Sequence, residues 1–190
     1  MNWKTIFNPF EKFDEKTLLT IGIIFFILLI PLLYITDSYF SSIYRIEQLE
    51  IKNNNDLLVR TAISFTVPIA VLYILGKLLY RKTRIIDIAN TVLLSQIPLI
   101  VLLLLVKSPE LKKAGERVSL YQNTHTGVFP IVDFILMLLV IVLTLLGIIY
   151  SFAILFNGFR TATNIKKWQH IVLFCSVVFL TTMICQLFNH

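Results

Sequence analysis

The sequence predicts an all-α, polytopic transmembrane bundle of five helices with a short amphipathic N-terminal helix, and three observations carry that prediction. Five apolar stretches, 18–35, 57–80, 85–106, 129–156 and 168–187, fill most of the 190 residues. Each approaches or exceeds the ~20 helical residues needed to cross a hydrocarbon core of ~30 Å. The chain is also 57% hydrophobic, with a mean hydropathy of +0.81, well above the ~45–50% apolar content of soluble domains. Finally, only short charged segments separate the stretches, the longest being 36–56 and 107–127. Residues 1–190 are therefore expected to form a single transmembrane domain, with 1–17 as an interfacial segment.

The N-terminal segment carries helix signals of its own. Asn8-Pro9-Phe10-Glu11 combines a capping residue, a proline at the first helical position and an early carboxylate. Trp3, Ile6, Phe7, Phe10 and Phe13 recur at steps of three and four, with Lys4, Lys12 and Lys16 between them. That pattern suits either an in-plane helix divided at Pro9 or an aromatic belt leading into the first span. The first span lacks a small-x-small cleavage site at its end and is expected to be retained as a helix.

Charge sets the expected orientation. Lys4, Lys12, Lys16, Lys77, Arg81, Lys82, Arg84, Arg160, Lys166 and Lys167 fall on one side of five alternating spans, ten cations against seven on the other. The positive-inside rule then places the N-terminus in the cytoplasm and the C-terminus on the far side. The net charge of +6 is accounted for by these span ends and by anionic lipid, so nucleic acid is not an expected partner. On the far side, Ile43, Tyr44, Ile46 and Leu49 are expected to rest on the surface before the turn at Asn53-Asn54-Asn55. Ser108-Pro109-Glu110 is expected to start a short charged helix reaching about Arg117.

The third stretch is the most polar, with Asp87, Asn90, Thr91, Ser95 and Gln96 ahead of Pro98. Asp87, Asn90 and Gln96 are candidate intramembrane polar residues. Asp87 stands near the span entrance, three residues after Arg84, and is expected to cap or pair locally. Asp133 enters the fourth span from the opposite face, and Arg60 begins the second span at that same face. An Arg60–Asp133 pair would neutralise two costly charges. Pro68 and Pro98 can each kink their helices by removing a backbone donor. Trp3, Phe7, Phe10, Arg81, Lys82, Arg84, Arg160, Lys166 and Lys167 are candidates for contacting a partner or lipid headgroups; the cations also serve as plain topology determinants.

No chemistry motif emerges. GxSxG, HExxH, P-loop and GxGxxG patterns are absent, and His125, His170 and His190 are scattered. Cys175 and Cys185 would stand ~15 Å apart along one helix, too far for a disulfide. No catalytic residue, metal site or cofactor is expected.

Three features together resemble a known family. These are the aromatic Asn8-Pro9 segment before five spans, the basic turn leading to Gln96-Ile97-Pro98, and a long fourth span running through Tyr150-Ser151-Phe152 into a second basic turn. The chain resembles the Yip-domain family (Ypt/Rab-interacting membrane proteins), particularly its compact prokaryotic members. The resemblance implies five helices and a cytoplasmic N-terminus. The GTPase binding of eukaryotic members leans on a long cytosolic N-terminal region that this sequence does not carry, so that role is not transferred. Abundant Ile, Lys and Asn with short loops suit a bacterial inner membrane. The expected function is a non-enzymatic scaffold, adaptor or membrane-organising protein. Its expected partners are the lipid bilayer, anionic lipid in particular, and another membrane protein or further copies of itself. The alternative is a small permease or channel component using the polar face of the third span.

Overall fold

The first span, α1 (Glu15–Ile35), is free of charge after Lys16 and contains Pro31 without breaking. Asp14 precedes it in extended conformation, and Glu15 places a carboxylate in the first turn, where the helix dipole favours it. The helix ends where the Thr36 hydroxyl bonds back to the Leu32 carbonyl (2.9 Å) and Asp37 adopts a φ of 47°. Asp tolerates this left-handed conformation better than most residues, and the chain reverses there. This computed structural model describes residues 7–48, 54–125 and 128–188. It divides into two compact units, Met1–Ile97 with Phe152–His190, and Pro98–Ser151.

In the first unit a hairpin, β1 (Ser38–Ser42) and β2 (Arg45–Gln48), follows α1, pairing Tyr39 with Glu47 and Phe40 with Ile46. A two-stranded hairpin is marginal alone; this one has helices against it. Every residue of β1 is buried, because it packs against α1, α2 (Asn54–Leu79) and α7 (Trp168–Phe188). The Ser64 hydroxyl of α2 donates to the Phe40 carbonyl. The expectation that Ile43 and Tyr44 lie on the surface is overturned: Ile43 is 2% exposed and Tyr44 is half-buried against Phe152. Leu49 and Asn53 lie outside the described residues.

α2 contains Pro68 without interruption and ends in a turn built around Thr83. The Thr83 hydroxyl donates toward the Gly76 and Tyr80 carbonyls (3.1 and 2.7 Å). A Cβ on Gly76 would come within 2.9 Å of the Thr83 methyl, so glycine lets this basic turn fold back on the helix. α3 (Ile85–Ser95) follows, and the third stretch breaks at Gln96 before α4 (Ile97–Val106). Pro98 explains the break, since it has no N–H for the Leu94 carbonyl and its ring opposes the preceding turn. α3 packs on α1 and α2, while α7 packs on α2. Aromatic rings fill the remaining space, Phe159 stacking on Phe174 (4.7 Å) and Phe65 meeting Phe26 and Phe40 edge-on (5.0 and 5.7 Å).

The second unit contains most of α4, the short helix α5 (Pro109–Thr124) and the first part of α6 (Ile131–Thr163). Ser108 caps α5 through the Leu111 N–H (3.4 Å), with Pro109 at its first position, as its sequence signals. The helix runs a full two turns beyond Arg117, to a left-handed His125. It buries Ala114 and Val118 and exposes Lys112, Lys113, Glu116 and Arg117. A Cβ on Gly147 would overlap Leu102, so α4 and α6 meet closely at that glycine. No residue of α6 between 131 and 150 is buried; this apolar surface suits lipid rather than water. The helix also continues past the expected limit of 156 to Thr163, taking Asn157 and Arg160 onto its last turns.

Candidate functional site: a charge-lined cleft at the ends of three spans

Three elements of the first unit converge on a cavity of about 320 Å³. The start of α1 supplies Glu15 and Leu18, and the turn into α3 supplies Tyr80, Lys82, Arg84, Asp87 and Asn90. The end of α6 supplies Gly158, Thr161 and Ala162. Phe10 and Phe13, on and just beyond a short 3-10 helix at Pro9–Glu11, close the remaining side.

Arg84 organises the charge. Its guanidinium bridges the Glu15 carboxylate and the Asp87 carboxylate (Nε to Oδ2, 3.3 Å), tying the start of α1 to the start of α3. Asp87 therefore pairs locally, as its place near the span entrance predicts. One turn deeper, the Asn90 amide nitrogen donates to the Glu15 carbonyl (3.1 Å). Asn90 is 1% exposed, and its Oδ1 lines up with no donor. Because the nitrogen is committed to a carbonyl, the open atom is the oxygen, an acceptor.

The N-terminal segment is fastened to the same place. The Asn157 amide donates to the Phe7 carbonyl (2.8 Å), and the Asn8 amide donates to Glu11 (2.8 Å). Phe10 sits over Gly158, where a Cβ would lie 2.7 Å from its ring and 2.5 Å from the Thr91 hydroxyl. The segment is thus seated in a notch that only a glycine leaves open. Pro9 starts a 3-10 turn here; Trp3, Lys4 and Ile6 lie outside the described residues.

The expected candidates divide accordingly. Phe10, Lys82, Arg84, Asp87 and Asn90 come together in the cleft, with Phe7 fastened beside it. Arg81, Arg160, Lys166 and Lys167 are exposed and do not line it. Gln96 is buried at the α3–α4 break, its amide nitrogen on Ser95 Oγ (3.2 Å) and its Oε1 without a donor. Glu15, Tyr80, Gly158 and Thr161 were not singled out by sequence, whereas Phe13 belongs to the aromatic repeat of the N-terminal segment. Gly158 alone left a local signal, one small residue beside Asn157 within a run of large apolar ones.

The expected Arg60–Asp133 pair is corrected by the partners each residue has. Asp133 receives both Arg117 Nε and Nη2 (2.6 and 2.5 Å), a fork geometry from sixteen residues upstream that satisfies the carboxylate. The bond to Asp133 holds the Arg117 guanidinium above its ordinary pKa. Arg60 lies over the Tyr39 ring (5.1 Å) and donates to its hydroxyl (3.2 Å), and that hydroxyl meets Glu47 (2.8 Å). Burial, then the neighbouring Glu47, raises the Tyr39 pKa, and burial pushes the Tyr44 phenol up much further. Among the described residues no three His, Cys, Asp or Glu side chains group as a metal site.

Five helices, Glu15–Ile35, Asn55–Leu79, Ile85–Val106, Ile131–Thr163 and Trp168–Leu187, are long and apolar enough to cross a bilayer, the third with its break at Gln96. No curated protein and no solved structure matches the chain. The family model of the Yip1 domain matches residues 3–188, nearly the whole chain. This five-span membrane protein therefore belongs to the Yip1-domain family.

Proposed function

We propose that the chain is a non-catalytic membrane scaffold that organises lipid or holds a partner protein at the cleft end of its first unit. One observation carries this reading. The polar side chains near the cleft fasten the chain to itself: Arg84 to Glu15 and Asp87, Asn90 to Glu15, and Asn157 to Phe7. They build a shaped, charged surface at helix ends. The exposed cations Arg81, Arg160, Lys166 and Lys167 attract anionic lipid around it. The ten-to-seven distribution of Lys and Arg supports an N-terminus and cleft facing the cytoplasm, and the abundance of Ile, Lys and Asn with short loops supports a bacterial inner membrane.

Purification in native nanodiscs with mass spectrometry of what co-purifies tests the proposal. A stoichiometric partner or a selected lipid class is expected, lost when residues 1–13 are deleted and weakened by Arg81→Gln. Retention of everything in both variants would overturn it. A small permease or channel component remains the second reading, favoured by the unpartnered buried oxygens of Asn90 and Gln96 along one polar stretch. That reading requires liposome flux which falls in Asp87→Asn and Asn90→Leu proteins.

A further inference from the structure

The β1–β2 hairpin is non-helical backbone set among membrane spans of the first unit, and its contacts fix how deep it goes. The Phe40 ring lies 5.7 Å from that of Phe65, which lies 5.0 Å from that of Phe26. Phe26 is near the middle of α1, ~16 Å from Glu15 and ~14 Å from Ile35 along the axis. Because α1 is about as long as the hydrocarbon is thick, Phe26 marks the middle of the bilayer. The chain from the reversal at Asp37 to Phe40 covers ~10 Å when extended, and the Phe40 ring spans the rest. A second landmark agrees: Ser64, whose hydroxyl donates to the Phe40 carbonyl, is ~15 Å from the first residue of α2. Near the tip, the Tyr44 ring is 6.4 Å from that of Phe152. Phe152 in turn meets Phe174, only ~9 Å from the start of α7.

The two strands differ in what they meet. β1 is buried throughout, whereas β2 exposes Arg45 and Gln48. Arg45 pairs with Glu47 (2.6 Å), their side chains 54% and 30% exposed. Glu47 also accepts from the Tyr39 hydroxyl (2.8 Å), which accepts from Arg60 (3.2 Å). Among the described residues β2 pairs with β1 alone, so its outer edge presents backbone groups that no strand meets. Lipid cannot satisfy this surface. At membrane depth, charged side chains and irregular or edge backbone persist only against protein or water. A second copy pairing edge to edge is opposed by the charges of Arg45 and Glu47, a common device against such pairing. Water remains.

We propose that the β1–β2 hairpin re-enters the bilayer from the end opposite the cleft, down to its middle, and walls a water-filled vestibule open at that end. Arg45, Glu47 and Gln48 face the water, and the buried Phe40 and Ile43 form the dry side of the hairpin. Such a recess gives ions and small polar solutes access half-way across the bilayer, where the spans alone would exclude them. The proposal goes beyond the scaffold reading and does not depend on it.

The full chain in nanodiscs tests it, with Cys175→Ala, the buried Cys185 retained and one new cysteine at a time. A small charged methanethiosulfonate is expected to modify Arg45→Cys and Gln48→Cys. It should leave Leu28→Cys, exposed on α1 close to the level of Phe26, unmodified. Depth is read separately, by tryptophan fluorescence of Tyr44→Trp in a chain carrying Trp3→Phe and Trp168→Phe. Nitroxides at the acyl-chain ends are expected to quench it more than nitroxides on the headgroups. Ile46→Trp takes its place if that variant does not fold. Modification of Arg45→Cys with stronger quenching from the headgroups would put the hairpin outside the membrane and overturn re-entry. Deep quenching without modification would mean that protein, a second copy included, covers β2, and would overturn the vestibule.

Discussion

The third span and the first part of α6 are both apolar enough to cross a bilayer, yet they differ in what surrounds them. The window of Ile85–Val106 is 61% buried inside the protein, and that of Ile131–Thr163 is 0% buried. Asn90, Thr91, Ser95 and Gln96 are the reason. In hydrocarbon a polar side chain gains by turning toward protein, whereas Leu and Ile are as content against lipid as against each other. Between 131 and 150, α6 carries little that needs a partner, and none of it is buried. Its character changes within the same helix: Ser151, Gly158 and Phe159 are buried. The buried polar residues of the third span turn toward protein together with the large apolar residues Ile88, Val92 and Leu94, so here polarity adds to the usual apolar packing rather than replacing it.

The sharpest way to break this contrast is Gly158→Leu. The new side chain must displace Phe10 and the Thr91 hydroxyl, and overpacking of this kind costs about 1–3 kcal/mol or more. A large fall in melting temperature in detergent is expected, with release of the N-terminal segment to protease; an unchanged melt would mean Phe10 is not seated there. Alkaline pH should act next. Tyr39 and Tyr44 have raised pKa values in the folded protein. The unfolded phenols therefore lose protons first, and stability present below the ordinary value of 10.0 declines as pH rises through and above it. Thermal melts from neutral to alkaline pH should show the decline, and Tyr44→Phe should reduce it. A smaller effect is expected at the exposed fork: Arg117→Gln and Asp133→Asn should each lower the melting temperature slightly, and the double variant no more than either. Additive losses would show that the two do not act as a pair. Smallest of all, Leu139→Ala on the open face of α6 should change the melt by less than about 0.5 kcal/mol. A core-sized loss there would reveal that protein, not lipid, covers that face.

The five spans were legible because apolar length is all that crossing requires. The hairpin was not. Ser38–Ser42 has no alternation to announce a strand, since both of its faces are covered, and its three serines read as loop. The end of α6 was misjudged for a similar reason: Asn157, Gly158 and Arg160 look like turn residues, and only their contacts make them helix. About half of the cleft could be read, because Arg84, Asp87 and Asn90 share a face by spacing alone. Glu15 and Gly158 could not, since their partners are set by packing across 69 residues and by a notch that exists only in three dimensions. The Arg60–Asp133 expectation rested on a shared membrane face alone; Asp133 takes Arg117 as its partner, and Arg60 lies over Tyr39.

The length of α6 has a consequence for how the protein sits in its bilayer. Its apolar part, residues 131–156, extends ~39 Å at 1.5 Å per residue, whereas the 21 residues of α1 extend ~31 Å, close to the ~30 Å hydrocarbon thickness. One span fits an average bilayer and another overshoots it. A span in excess of its membrane tilts, bends or draws thicker lipid around itself, each at a small cost per ångström. In the dimensions of its own helices the chain thus requires α6 to meet the bilayer at a slant, to bend or to deform the lipid around it.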